Sequence, residues 1–391
     1  MTTDEQYGAA VFRVLDGEPG PSTVNVMRAV TEGERRHRRA RLAGSAGVAA
    51  AVVAILATGW LATSGWRGGV PPQVAASGSG RPDPSPSGAP SGPPVCRAAQ
   101  LPVPAGQPPK GIVSGADPTG HYIVGRTYPQ AAEPTPVIWV DAHDPKTVAM
   151  PGVERGLSDI NSHGVAVGGS LVNGKHVGWV VADGTVSRVK GREAQVVGIN
   201  DAGMMAGTTA DGPARWRSPT DDPVPLASAG AGWKAEARAI DEDGTIVGTA
   251  ARGAERVAVV WHPDGTLQRM PAPRGHDQVS NDYSGIAIRG GLVLGKALYD
   301  WTGGKYIDGV VWNLGTGDVS STPGFFQVVN PNGWIAGSPS LVAGGATVAL
   351  PVPGPEDPRQ TIVTSISDAG TTLAGQVGTT PLPVVWTCGR G

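Results

Sequence analysis

Four short acidic turns carry the residue types that could hold a cation: Asp159-Ile160-Asn161, Asn200-Asp201, Asp241-Glu242-Asp243 and Ser367-Asp368. Oxygen-rich loops ending on glycine can ligate calcium, but none of these has the ligand count of an EF-hand loop. Asp and Asn at turns also satisfy their own backbone, and that turn chemistry accounts for the residues without an ion. No metal site is therefore expected. The histidines, His37, His121, His143, His163, His176, His262 and His276, show no H-E-x-x-H spacing, and there is no G-x-S-x-G elbow. The sequence thus points to no catalytic residues, no cofactor and no enzymatic role.

Binding chemistry is better represented. The stretch KALYDWTGGKYIDG (296–309) brings Tyr299, Asp300, Trp301, Lys305 and Tyr306 together. RGHDQVSNDYS (274–284) adds His276, Asp277, Asn281, Asp282 and Tyr283, and a third segment offers Trp233, Lys234 and Glu236. Aromatic rings beside carboxylates and amides suit a sugar or a peptide. The alternative is an inserted loop that packs its own aromatics. From Cys96 onward the chain has 22 Lys+Arg against 26 Asp+Glu, so no basic field exists to hold a phosphate backbone, and nucleic acid is excluded as a partner.

The elements that must position these residues come from a repeat. Ala239–Thr249 (AIDEDGTIVGT) returns as Leu157–Ser170, Val197–Thr208, Val328–Ser338 and Ile366–Gly375, with weaker copies at Ser114–Gly125 and Gly285–Gly295. The alignable glycines Gly125, Gly168, Gly207, Gly248, Gly295, Gly337 and Gly375 lie 38 to 47 residues apart. The copy at 237–273 reads as four short strands. A first strand meets the turn Asp241–Gly244, a second follows, a third (VAVVW) ends on Trp261, and a fourth runs into Pro271. Tryptophans align with Trp261 at Trp139, Trp179, Trp216, Trp312 and Trp386, and the sixth copy has Leu350 there. A four-stranded unit of this period cannot bury both faces alone, so seven copies predict an all-β, seven-bladed β-propeller. In that fold the second-to-third loops and the inter-blade loops open on one face, which gathers the candidate binding residues there.

The last copy lacks a fourth strand, since five residues remain after Trp386. Ala99–Pro104 (AQLPVP) matches Arg269–Pro273 and supplies the missing strand, closing the ring through the seventh blade and removing free sheet edges. The same alignment sets Cys96 and Cys388 on one hairpin, which predicts a disulfide in an exported domain. The repeated D-x-N/D-x-x-G-x-x-x-G motif, followed by a strand ending in Trp, resembles the HAF-type extracellular repeats of bacterial secreted and surface proteins over about residues 110–388. That resemblance implies an exported propeller and carries no catalytic residues to transfer. The first and fifth copies depart from it, with Ala116–Gly120 and Ile288–Gly291 in place of the usual turn.

The first 95 residues are of another kind. Residues 1–41 read as a short helical segment ending in Arg35-Arg36-His37-Arg38-Arg39-Ala40-Arg41; 42–66 are free of charge and long enough for one membrane helix. The arginines place the N-terminus in the cytoplasm. Residues 67–95 are a disordered Pro/Gly/Ser linker, and 96–391 the extracytoplasmic propeller. The expected product is a single-pass membrane protein presenting a non-catalytic binding or scaffold module to an envelope protein, peptide or glycan. Alternatives are a sensor whose cytoplasmic segment holds a regulatory partner, and a propeller hydrolase or lyase.

Overall fold

The computed structural model describes residues 93–130, 132–143, 145–273, 282–301 and 304–389, with 299–301 and 304–306 described as backbone. The expected cytoplasmic segment (1–41), the membrane helix (42–66) and nearly all of the linker lie outside the described residues, as do His276, Asp277 and Asn281. Among the described residues no helix is long and apolar enough to cross a membrane.

Among the described residues, twenty-eight strands form seven antiparallel sheets of four strands each. Six sheets use consecutive strands, and the seventh joins the first strand of the chain to its last three. This is a seven-bladed β-propeller, numbered here from the blade that begins at Gly111. The inner strands, blades 1 to 7, are Gly111–Ala116, Val153–Ile160, Gln195–Ile199, Lys234–Ile240, Tyr283–Arg289, Phe325–Val329 and Ile362–Ile366. Because the strands alternate in direction, first-to-second and third-to-fourth turns share one end of the ring, the turn end. Second-to-third and inter-blade connections share the other, the hairpin end.

The repeated glycine has one physical cause. Every inner strand carries a β-bulge opposite it, in blade 4 between Ala237 and Ala239, which adds one residue and directs a carbonyl at the second strand. A Cβ at Gly248 would lie 2.1 Å from the Glu236 oxygen, and the other six glycines meet equivalent carbonyls at 2.0 to 2.2 Å. Only glycine fits.

The tryptophans join blades. Trp139, Trp216, Trp261, Trp312 and Trp386 are fully buried. Each Nε1–H donates to a carbonyl just beyond the outer strand of the preceding blade: Pro102, Lys190, Ala227, Pro271 and Pro351, at 2.7 to 2.9 Å. Two expected equivalences are corrected by the register. Trp179 pairs with Gly168, whereas Val181 pairs with Ala166 in the tryptophan position, so Trp179 lies two residues early and donates to Ser170 Oγ instead (2.8 Å). Strand periodicity of two keeps it on the same face, so its type and approximate place match the repeat. Leu350 is not the sixth tryptophan equivalent either. Val342 pairs with Ile335 in that slot, and Leu350 follows the fourth strand, Ala346–Ala349, as a buried residue at the blade exit.

Ring closure follows the expected alignment. The closing strand is Val95–Gln100, four residues earlier than the matched stretch, and it pairs along Leu382–Gly389 with Cys96 directly opposite Cys388. Those two cysteines are bonded to each other. Leu101 and Pro102 then occupy the places of Met270 and Pro271, which is what the sequence match had detected.

Candidate functional site

At the turn end, six of the blades begin their tight turn on a buried polar residue: Asp117, Asn161, Asn200, Asp241, Asn330 or Ser367. Asn161 Oδ1 accepts from the backbone N–H groups of His163 and Val165 (3.2 and 3.0 Å), folding its own turn. Its Nδ2 donates to the Asn200 carbonyl of the next blade (3.1 Å). Asn200 repeats this onto Asp241 and Glu242, and Asn330 onto Ser367 and Asp368. The Asp368 N–H donates to Pro118, tying blade 7 to blade 1 (2.8 Å). An amide suits this two-way role because it both accepts and donates. Many of the oxygens that could have suggested calcium accept from backbone N–H groups or, at Glu242 and Asp368, from the Arg289 side chain, and among the described residues no three His, Cys, Asp or Glu are grouped to hold a metal.

Blade 5 lacks the capping residue and does something else. Arg289-Gly290-Gly291-Leu292 is a two-residue turn with both glycines at positive φ (59° and 73°), a conformation glycine adopts freely. Their N–H groups donate to the Asp241 carboxylate (3.1 and 2.8 Å). The Arg289 side chain donates through Nε and Nη2 to both oxygens of Asp368 in blade 7 (2.7 and 2.8 Å), and through Nη1 to Glu242 in blade 4 (2.6 Å). It therefore reaches past blade 6 across the mouth of the ring. Burial opposes the Arg289 charge, but the bonds to Asp368 and Glu242 outweigh it and hold its pKa above the ordinary value.

Asp159 lies in the same region. It follows the bulge in blade 2, a position held elsewhere by Gly115, Gly198, Ala239, Ala287, Val328 or Ser365. The neighbouring glycines make room: a Cβ at Gly115 would lie 3.2 Å from Oδ1, and one at Gly198 would lie 3.5 Å from Oδ2. Oδ2 accepts from the Ile199 N–H (3.0 Å). The residue keeps some accessible surface. Enclosure among three blades nonetheless pushes its carboxyl up to about 7, against the lowering by the Ile199 and Ile160 N–H groups and the Arg289 charge.

The hairpin end holds those of the residues singled out from the sequence that are described. The expected loop 296–309 is instead a continuation of two strands, Leu292–Trp301 and Gly304–Asn313, ten residues each against four to eight in the other blades. The stretch is rich in aromatics that suit a paired surface, and register sets Tyr299 opposite Tyr306 and Asp300 opposite Lys305, with Trp301 opposite Gly304. At its base, Asp282 accepts from Arg256 Nε and Nη2 (2.8 Å each), joining blades 4 and 5. Tyr283 is buried against Trp312, its hydroxyl donating to the Met270 carbonyl (3.0 Å), so it belongs to the wall between those blades. The Trp233 ring is covered by the guanidinium groups of Arg252 and Arg269, 4.8 and 4.2 Å from its centroid. Glu236 pairs with Arg238, and Lys234 is exposed. Sequence reasoning missed Lys296, which burial and the nearby Arg256 and Arg238 hold below the ordinary lysine pKa.

No protein-family model and no curated protein sequence matches the chain. Solved structures match it at low identity. A catalytically inactive virginiamycin B lyase from Staphylococcus aureus with quinupristin is 9% identical, covering 75% of this chain and 99% of its own, at a TM-score of 0.49. A chain of the mitotic checkpoint complex is 11% identical over 82% of this chain and 99% of its own, at 0.47. A gluconolactonase from Xanthomonas campestris is 14% identical over 75% and 90%, at 0.39. The fold rests on this chain's own seven four-stranded sheets, which make it a seven-bladed β-propeller.

Proposed function

We propose that this chain is a non-catalytic binding or scaffold module whose working face is the hairpin end of the propeller. It is held outside the membrane by the expected helix at 42–66 and engages an envelope protein, peptide or glycan. One observation carries the reading. Asparagine amides of the turn end are committed to blade-to-blade bonds, whereas the largest departure from the repeat, the blade 5 hairpin of two ten-residue strands, projects from the opposite end. Aromatic and charged residues at its tip, Tyr299 to Tyr306, suit a sugar or peptide partner.

The test is thermal shift of the propeller against peptidoglycan fragments, wall glycans, short peptides and calcium, since selective binding to the native state raises the midpoint. We expect a glycan or peptide to raise it and Trp301→Ala or Tyr306→Ala to abolish the rise. Substrate turnover lost on changing one polar residue would replace this reading with an enzyme. An extracytoplasmic location of an N-terminal reporter would overturn the membrane topology.

A further inference from the structure

The inner strand of blade 2 carries a second bulge, between Val153 and Gly156, that the other six inner strands lack. Within it Glu154 takes a φ of 53°, a left-handed conformation that non-glycine residues adopt at a cost. The bulge re-aims the following residue, and Arg155 ends with its Nε buried and without a hydrogen-bond partner. A buried donor left unpaired is destabilising unless something arrives to accept from it.

Other basic groups approach the same strand from blade 1. Arg126, on the second strand of blade 1, rests over Gly156, where a Cβ would come within 3.7 Å of Nη1. Its Nε donates to the Tyr128 hydroxyl (2.9 Å), and Lys110 Nζ is 5.3 Å from the Tyr128 ring centroid. Glu133 and Glu154 are near, but Glu133 accepts from the Glu154 N–H (3.2 Å) and both are exposed. Among the described residues, Lys110, Arg126 and Arg155 have no acidic partner, whereas Arg192, Arg238, Arg252 and Arg256 at the same end pair with Asp211, Glu236, Glu255 and Asp282.

We propose that Lys110, Arg126 and Arg155 form a binding site for one anionic group, a carboxylate or a phosphate, at the hairpin end between blades 1 and 2. Guanidinium forks match either oxyanion in two-pronged fashion, and the lysine adds a point charge. The Tyr128 ring lies under both Lys110 and Arg126, 5.3 and 5.4 Å from its centroid, and steadies the two cations, and the site suits the oxyanion of an acidic sugar or a polyol phosphate. This inference rests on the hairpin end being the working face, though not on blade 5.

The propeller is complete in its sheets and disulfide from Val95 to Gly389, so residues 93–391 serve for the test. Its melting midpoint and calorimetric binding are measured with inorganic phosphate, glycerol phosphate and glucuronate, against sodium chloride at equal ionic strength. We expect an anion-specific rise, the stronger of the phosphate or glucuronate responses naming the source, and binding weakened roughly 10- to 100-fold by Arg126→Gln or Arg155→Met. Arg155→Met should also raise the ligand-free midpoint, because it removes the unpaired buried donor; a purely structural arginine would lower it. No anion-specific rise, or one that persists in both variants, overturns the site. If Tyr306→Ala abolishes the rise and Arg155→Met keeps it, the anion sits on blade 5, and this site falls while the working-face reading stands.

Discussion

A carboxylate wedged between two glycines near the axis of a ring has little water to stabilise its charge, and Asp159 is in that position. Burial raises its pKa from the ordinary 3.8 to about 7 in the folded ring, so the native state holds this proton more tightly than the unfolded chain does. The stability this supplies is complete below about pH 4 and lost as pH rises through 7. Asp159→Asn keeps an oxygen for the Ile199 N–H and removes the charge. We expect it to stabilise the ring on the order of 2 kcal/mol at pH 8, discounted for the surface that solvent still reaches, and to change little at pH 4. Midpoints recorded across that range decide it: parallel curves for the two proteins would mean that the carboxylate titrates normally. Arg289 is coupled to the same group, since its charge lowers the Asp159 pKa. Arg289→Met should therefore move the pH step upward. It should also destabilise the ring by about 1–3 kcal/mol, because Asp368 and Glu242 lose charge-assisted bonds that are only partly shielded from water.

At the scale of the blade, a bulge and a glycine are one device, and the device can be tested alone. A methyl at Gly248 would meet the Glu236 oxygen at 2.1 Å and the Trp261 ring at 2.8 Å, and both are backed by packed neighbours. Gly248→Ala should cost about 3 kcal/mol or more by forced displacement, against less than about 1 kcal/mol for Gly315→Ala, whose Cβ would find only the Asn313 side chain at 3.3 Å. Urea unfolding of the two variants measures the difference, and equal losses would show that the inner strand yields to the bulge carbonyl. The glycine was legible in the sequence because it recurs; its cause was not, because a bulge adds a residue without adding a motif. The same limit explains the other departures. Trp179 and Leu350 aligned by type while register placed Val181 and Val342 in the tryptophan slot. Arg289 could be seen only as a missing turn residue, and Asp159 was hidden inside a motif whose acids read as turn chemistry. Arg155 carried no signal at all, since a second bulge leaves no trace in composition or spacing.

Across the whole molecule, the ring is as strong as the junction where the chain's two ends meet. Among the described residues, blade 7 is the sheet that joins the first strand to the last three, and it closes through Val95–Gln100 on Leu382–Gly389. The Cys96–Cys388 bond spans 292 residues of sequence, so it removes a large share of the freedom that the unfolded chain would otherwise have. It is not the sole closure: the Leu101 N–H donates to Pro383 (2.9 Å), and Trp139 in blade 1 donates to Pro102 (2.7 Å). Replacing both cysteines by serine should therefore leave a folded ring, destabilised by about 2–5 kcal/mol. The first change should be local. Backbone hydrogen exchange should rise at 95–100 and 382–389 and stay unchanged across blade 4, because each blade draws its protection from its own neighbours. A midpoint equal to that of the native protein would mean that the strand pairing and the Trp139 bond close the ring by themselves. Faster exchange in every blade would mean that the seventh blade governs the cooperativity of all the others, and that the propeller unfolds from this seam.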